Sequence, residues 1–255
     1  MEAGIRGNLF SVAAVVSISA AAALVACTLV VAGTYKARLE NPKKMEQSLA
    51  VTGSARKRIR SDLAVWQIHV SGSGEDQKAC FRALKACSDR VGKFLEEHKF
   101  RPPEVALSSI RSQPRYGPAR RGSEVGEVIG YTMSRAYTVT SSRVDEVALA
   151  APEVTELIQD GLEVVSDLPE YYYTKIGDLK IEMIGEAAKD ARARADQIVT
   201  KAGCSISEVR VARMGVLQIT RPESTEVSAS GIFDTSTIDK DVNAVVSLTF
   251  GLSNP

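Results

Sequence analysis

Apolar and polar residues alternate along three stretches of this chain and recur at three- and four-residue spacing along three others, the two periods of strands and helices. In Leu63–Val70, Ala64, Trp66, Ile68 and Val70 form an apolar face opposite Gln67 and His69, which predicts a half-buried strand. Tyr131–Thr140 repeats the pattern with Tyr131, Met133, Tyr137 and Val139. Val242–Leu252 carries it furthest, with Val242, Ala244, Val246, Leu248, Phe250 and Leu252 on one side. Helical spacing first appears after Glu75, through Cys80, Leu84, Cys87, Val91 and Leu95. It returns after Ser141 and Ser142, two candidate N-caps, through Val144, Val147, Ala148, Ala151, Val154 and Ile158, with Pro152 expected to kink the helix. Leu179–Ala202 is the longest predicted helix of the body. Its stripe of Ile184, Ala188, Ala191, Ala195, Ile198 and Ala202 is small enough to lie close against a sheet.

Breakers and shorter runs fill the intervals. Leu49–Gly53 reads as a short strand and Arg56, Lys57, Arg58, Arg60 as a basic turn before the next one, which Gly72 and Gly74 then break. Val105–Ile110 offers a strand, Gln113–Gly126 a loop rich in arginine, proline and glycine, and Leu162–Thr174 one or two strands around Pro169, after a left-handed stop at Gly161. Gly203 ends the long helix, Ile206–Ile219 is strand material with a bulge expected at Gly215, and Arg221–Ser236 is a long polar loop. The central order of strand, helix, strand, strand, helix, strand is that of ferredoxin-like units. The fold class expected is therefore α+β: a mostly antiparallel sheet with ferredoxin-like strand-helix order plus an added helix and two strands, helices on one face.

One segment lies outside this body. Leu9–Gly33 contains no charged residue, and as a helix it would reach roughly 37 Å, enough to cross a hydrocarbon core of about 30 Å. Three fates fit it: an uncleaved transmembrane anchor, a signal peptide removed near Ala20 and Ala22, or a lipoprotein leader in which Leu24, Val25, Ala26 precede a lipidated Cys27. The organisation expected is an anchor or signal segment over 1–35, a linker over 36–48 that includes Pro42, and one domain over 49–255. Lys36, Arg38, Lys43 and Lys44 follow the segment while Arg6 alone precedes it, which by the positive-inside rule would hold the domain in the cytoplasm.

Charge and candidate chemistry narrow the function mainly by exclusion. A formal net charge of +1 gives no general field for nucleic acid, and no nucleic-acid partner is expected. Cys80 and Cys87 lie two helical turns apart, beyond disulfide reach, and no CxxC or Cys–His spacing exists, so buried free thiols are expected and no metal site. There is no GxSxG elbow, phosphate-binding glycine loop or HExxH helix, and of the two histidines His69 sits on a polar strand face and His98 near a helix C-terminus. No catalytic residue and no cofactor follow. What remains is interaction: Arg115, Tyr116, Arg120 and Arg121 combine arginine with tyrosine on a long loop, a composition favoured at interfaces, and in Tyr171, Tyr172, Tyr173 alternation should leave one ring, with Tyr172 the candidate, available for an oligomer contact.

Several segments taken in order resemble a known family. Val51, Thr52, Gly53 followed by Asp62 and Ala64, Pro114 with Tyr116, the run Ile129, Gly130, Tyr131, and Ala187, Ala188, Asp190, Ala191, Arg192, Ala195, then Gly203 and the closing strand, are similar to the bacterial SIMPL domain family over about Leu49–Leu252. Ala55, where a second glycine is common, and Pro152 depart from its pattern. The resemblance implies a cell-envelope protein, usually exported, in a family that includes periplasmic immunogenic proteins and ones linked to oxidative-stress tolerance. It also implies a domain facing the periplasm rather than the cytoplasm, and self-association into ring- or channel-like homo-oligomers. It carries no catalytic residues. The function expected is a membrane-anchored envelope protein that assembles with itself; the alternative is an envelope enzyme or ligand-binding protein with a site at the 113–126 loop.

Overall fold

A computed structural model describes residues 27–32, 47–118 and 126–253. Eleven strands and three long helices follow in order: β1 (Ser48–Arg60), β2 (Leu63–Gly74), α1 (Gln77–Glu97), β3 (Val105–Leu107), β4 (Arg111–Tyr116), β5 (Val128–Ser141), α2 (Val144–Glu153) continued by a 3-10 helix (Val154–Asp160), β6 (Glu163–Ser166), β7 (Glu170–Tyr172), α3 (Ile176–Ala202), β8 (Ser205–Met214), β9 (Gln218–Thr220), β10 (Ile232–Phe233) and β11 (Asp239–Ser253). Residues 27–32 form a short helical turn. By internal contacts the chain divides into two compact units, one of Ser54–Ala187 with Gly215–Val245, the other of Met1–Gly53, Ala188–Met214 and Val246–Pro255.

In the larger unit β2 pairs antiparallel with β5 along its whole length, from Ala64 opposite Ser141 to Gly74 opposite Tyr131. β6 and β7 pair with the far side of β2, and β3 and β4 with the far side of β5. The spatial order is thus β6/β7, β2, β5, β3/β4, all antiparallel, the split arrangement that the sequence order anticipates. The predicted apolar face of β2 is buried throughout: Ala64, Trp66, Ile68 and Val70 pack with Leu84, Cys87, Val91 and Leu95 of α1 and with Val147, Ala150 and Val154. Asp76 caps α1, its carboxylate accepting from the Ala79 N–H at 2.6 Å. Gly72 and Gly74 do not break β2. They let α1 approach, since a Cβ on Gly74 would lie 2.5 Å from the Cys80 backbone nitrogen, and the Cys80 thiol donates to the Gly72 carbonyl at 2.9 Å.

Other expectations are corrected. The second helix has Arg143 as its N-cap and no side-chain cap; Ser141 ends β5, its hydroxyl accepting from the Arg143 N–H and donating to Glu104, and Ser142 has no capping role. Pro152 lies inside the last turn of this helix, and from Val154 onward the helix tightens to 3-10 form. Its end at Gly161, with φ of 78°, is the left-handed stop expected. The buried stripe of α3 is Leu179, Met183, Ala187, Ala191, Ala195 and Val199: it shares Ala191 and Ala195 with the expected one, lies one residue earlier before them and one later after them, and leaves Ile198 exposed. Periodicity with abundant alanine leaves the phase ambiguous, because alanine is tolerated on either face.

The later strands are not an extension of the first sheet. β11 pairs with β1 on one side and, on the other, antiparallel with β9 and β8, while β10 lies parallel to β9. This second sheet replaces the single sheet expected. The Ile206–Ile219 stretch is also not one bulged strand. It ends at Met214 and restarts at Gln218, with the Gly215 N–H donating to the Val245 carbonyl at 2.8 Å. The bulges lie inside β8, where the register against β11 shifts twice between Val211 and Ile206.

Candidate interaction surfaces

The predicted basic turn is strand. β1 runs unbroken from Ser48 to Arg60, and its two-residue period sends Arg56, Arg58 and Arg60 to one face and Lys57 to the other. Arg56 donates to Asp241 at 2.6 Å, Arg58 donates to both oxygens of the same carboxylate at 2.9 and 3.1 Å, and Arg60 bonds Asp145 and, at 3.4 Å, Asp239. Lys57 reaches both oxygens of Glu182 at 2.6 and 2.8 Å. Asp241 is 1% exposed and takes a further bond from the Glu223 backbone N–H at 2.8 Å. The Arg58 hydrogen bonds, with Arg56 and that N–H, hold its carboxyl far below the usual range against the opposing effect of burial.

Next to it Lys240, also 1% exposed, donates to Asp234 at 3.2 Å and to the Thr237 carbonyl at 2.5 Å. Burial alone would raise the Asp234 pKa, but donors from Thr237, Ser236 and Lys240 lower it to about 2. These two clusters fix the ends of the 221–238 segment, which holds the short strand β10 within the predicted loop. Between them Gln218, buried in β9, holds Ser228: its amide donates to the Ser228 carbonyl at 2.7 Å and its carbonyl oxygen accepts the Ser228 N–H at 3.4 Å. Val227 projects beyond these anchors at 82% exposure.

The expected site residues distribute as follows. Arg115 and Tyr116 lie on β4, which is strand where a loop was expected and is exposed at all six positions; Pro114 stands opposite Tyr131 and Arg115 opposite Gly130. Tyr116, Val128 and Ile129 are exposed at the end of the β4–β5 hairpin, Tyr116 standing opposite Val128. Arg120 and Arg121 lie outside the described residues, as does most of Leu9–Gly33. Cys27 opens the short helical turn and is exposed. Tyr171 is core; Tyr172 is half-buried, and its hydroxyl donates to Glu170 at 2.6 Å. His69 shares a 3.0 Å hydrogen bond with Asp167 on a solvated face. His98 has its Nδ1 2.9 Å from the Phe94 carbonyl and its Nε2 2.8 Å from Glu153. Burial opposes its protonation, yet those acceptors outweigh it and raise its pKa. Cys80 and Cys87 are buried free thiols.

Two features escaped the sequence reading. In the smaller unit a shallow groove of about 600 Å³ is lined by Ala50, Val51 and Thr52 of β1 and Ala193, Arg194 and Ile198 of α3. In the same unit β8 is an edge strand with Val209, Val211 and Met214 exposed at 49, 43 and 65%. Among the described residues no cluster of His, Cys, Asp or Glu could hold a metal ion, and no helix is long and apolar enough to cross a membrane.

The chain belongs to the SIMPL family, described as a protein of unknown function (DUF541), whose model matches residues 49–250. No curated protein matches it. Among solved structures it is similar to a protein named as an amidohydrolase/peptidase from Burkholderia cenocepacia, at 13% identity and a TM-score of 0.24 over 53% of this chain and 32% of that one. It is also similar to the ligand-free regulatory subunit of aspartate kinase from Thermus thermophilus, at 15% identity and a TM-score of 0.16 over 79% of this chain and 88% of that one. Neither likeness carries an argument about fold or function.

Proposed function

We propose that this chain is a non-enzymatic cell-envelope protein, anchored in the bacterial inner membrane by Leu9–Gly33 with its body in the periplasm, that assembles with copies of itself into a ring and serves stress tolerance in that form. The observation that supports it best is β8, an edge strand with Val209, Val211 and Met214 open to solvent. Open strand edges are usually covered or otherwise protected. Anchoring many equal bodies in one membrane raises their effective concentration, so contacts too weak for free solution close a symmetric assembly. Mass measurement of the full chain in detergent tests this directly. A multimer at micromolar concentration is the expected result, and a strict monomer removes the reading.

A second reading draws on the β4–β5 hairpin, where Tyr116, Val128 and Ile129 are exposed beside Arg115. In that version the hairpin docks a different envelope protein. Pull-down with Arg115, Arg120 and Arg121 all changed to alanine separates the two, because unchanged recovery of partners eliminates the hairpin.

A further inference from the structure

One face of the first sheet packs against α1 and α2, and over β4 and the adjoining strands the opposite face is polar. The register sets its residues in rows: Arg111 of β4 lies beside Ser134 of β5, then Ser71 of β2 and Glu163 of β6, and Gln113 lies beside Thr132 and Ser73. Arg115 stands opposite Gly130 and folds its guanidinium down over it, for a Cβ on Gly130 would lie 3.0 Å from the Arg115 Nη2. The missing side chain gives that cation a seat against the sheet.

At the β4 end of these rows the polar groups have no use within the chain. Arg111, Gln113, Arg115, Thr132 and Ser134 make no side-chain hydrogen bond or ion pair among the described residues, whereas Ser71 and Ser73 give their hydroxyls to Glu163 at 2.7 and 3.2 Å. That carboxylate lies three strand spacings from Arg111, roughly 14 Å, beyond the reach of the arginine. Arg111 and Arg115 stand four residues apart on one side of a strand, roughly 13 Å. The surface thus offers two guanidiniums at a fixed interval with hydroxyls and a carboxamide between them: donors for anions, flanking partners for a polyol.

We propose that this face binds an acidic polysaccharide, with Arg111 and Arg115 on carboxylates of sugars along the polymer and Gln113, Thr132 and Ser134 on the hydroxyls between them. Other extended polyanions fit it less well. Pro114, in the middle of β4, has no N–H to give to an added peptide strand. Nor do these rows present an aromatic ring on which a nucleic-acid base could stack. The site lies wholly on β4 and β5, goes beyond the self-association reading and does not depend on it.

Binding of labelled alginate oligosaccharides, which carry a carboxylate on every sugar, to the full chain in an uncharged detergent tests the site, with neutral dextran oligosaccharides and poly-glutamate alongside. Alginate is expected to bind, more weakly as salt rises, and dextran to stay free. R111A with R115A should weaken alginate binding about tenfold or more, and T132V with S134A about threefold or more at unchanged charge. R192A with R194A removes two exposed arginines from α3 and is expected to leave binding as it is. None of these side chains belongs to the core, so the variants keep the fold. A wild type that ignores alginate, unchanged binding in either sheet variant, or an equal loss with R192A and R194A overturns the proposal. Poly-glutamate bound more tightly than alginate and indifferent to T132V with S134A assigns the face to an acidic peptide, and overturns it too. A chain that binds alginate as a strict monomer keeps this site and loses the ring.

Discussion

In β1, Arg56, Arg58 and Arg60 bind Asp241, Asp145 and Asp239, whereas in β4 Arg111 and Arg115 meet no carboxylate among the described residues. The two runs look equivalent in the sequence, each a cluster of arginines next to turn-forming residues. Their difference lies in what faces them. β1 runs beside β11, whose Asp239 and Asp241 arrive at strand spacing, while β4 lies at the rim of its sheet against Thr132 and Ser134 of β5. Arginine on an outer strand is thus either part of the internal scaffold or a surface presented to others, and the opposing strand decides which.

The sharpest contrast concerns the buried ends of the scaffold. Asp234→Ala leaves the Lys240 ammonium enclosed with only the Thr237 carbonyl, and is expected to cost about 3–5 kcal/mol in urea unfolding, as for one partner removed from a buried pair. Asp241→Ala is expected to cost less, about 1–3 kcal/mol, because Arg56 and Arg58 turn to water and only the Glu223 N–H loses its acceptor indoors. Acid acts on the same groups. Both carboxyls titrate lower in the folded state than the roughly 3.9 of an unfolded aspartate, so their stabilisation is complete above about pH 4 and is lost as pH falls toward 2. Melting temperature should drop through that window, and Asp234→Asn should flatten the drop. The smallest effect belongs to β4: Arg111→Ala with Arg115→Ala should change stability by less than about 0.5 kcal/mol. A loss above 1 kcal/mol there would erase the distinction between the two runs.

Strongly periodic segments were legible in advance. Trp66, Ile68 and Val70 bury as their alternation predicts, and Gly161 and Gly203 stop helices with φ of 78° and 73°. The strand through Arg56–Arg60 does not show locally because the carboxylate that makes Arg56 and Arg58 favourable there stands more than 180 residues later. No local window contains that partner. The second sheet was missed for the same reason, since its central strand closes the chain and its outer strand opens the body. Of the site residues, Arg115 and Tyr116 were placed on an exposed element by composition alone. Val227 and the groove left no local signal: one is a lone valine in a polar run, and the other depends on side chains of α3 whose phase alanine obscured.

The pairing of β1 with β11 sets the order in which the body can be completed. A chain made from its N-terminal side delivers β1 long before the strand it needs, since Arg56 and Asp241 stand 185 positions apart. Contacts of such sequence separation close slowly, and a waiting strand with Val51 and Ile59 unsheltered invites wrong pairing. Completion of the body therefore hinges on β11, and deleting its fifteen residues should damage yield far more than the short length removed would suggest.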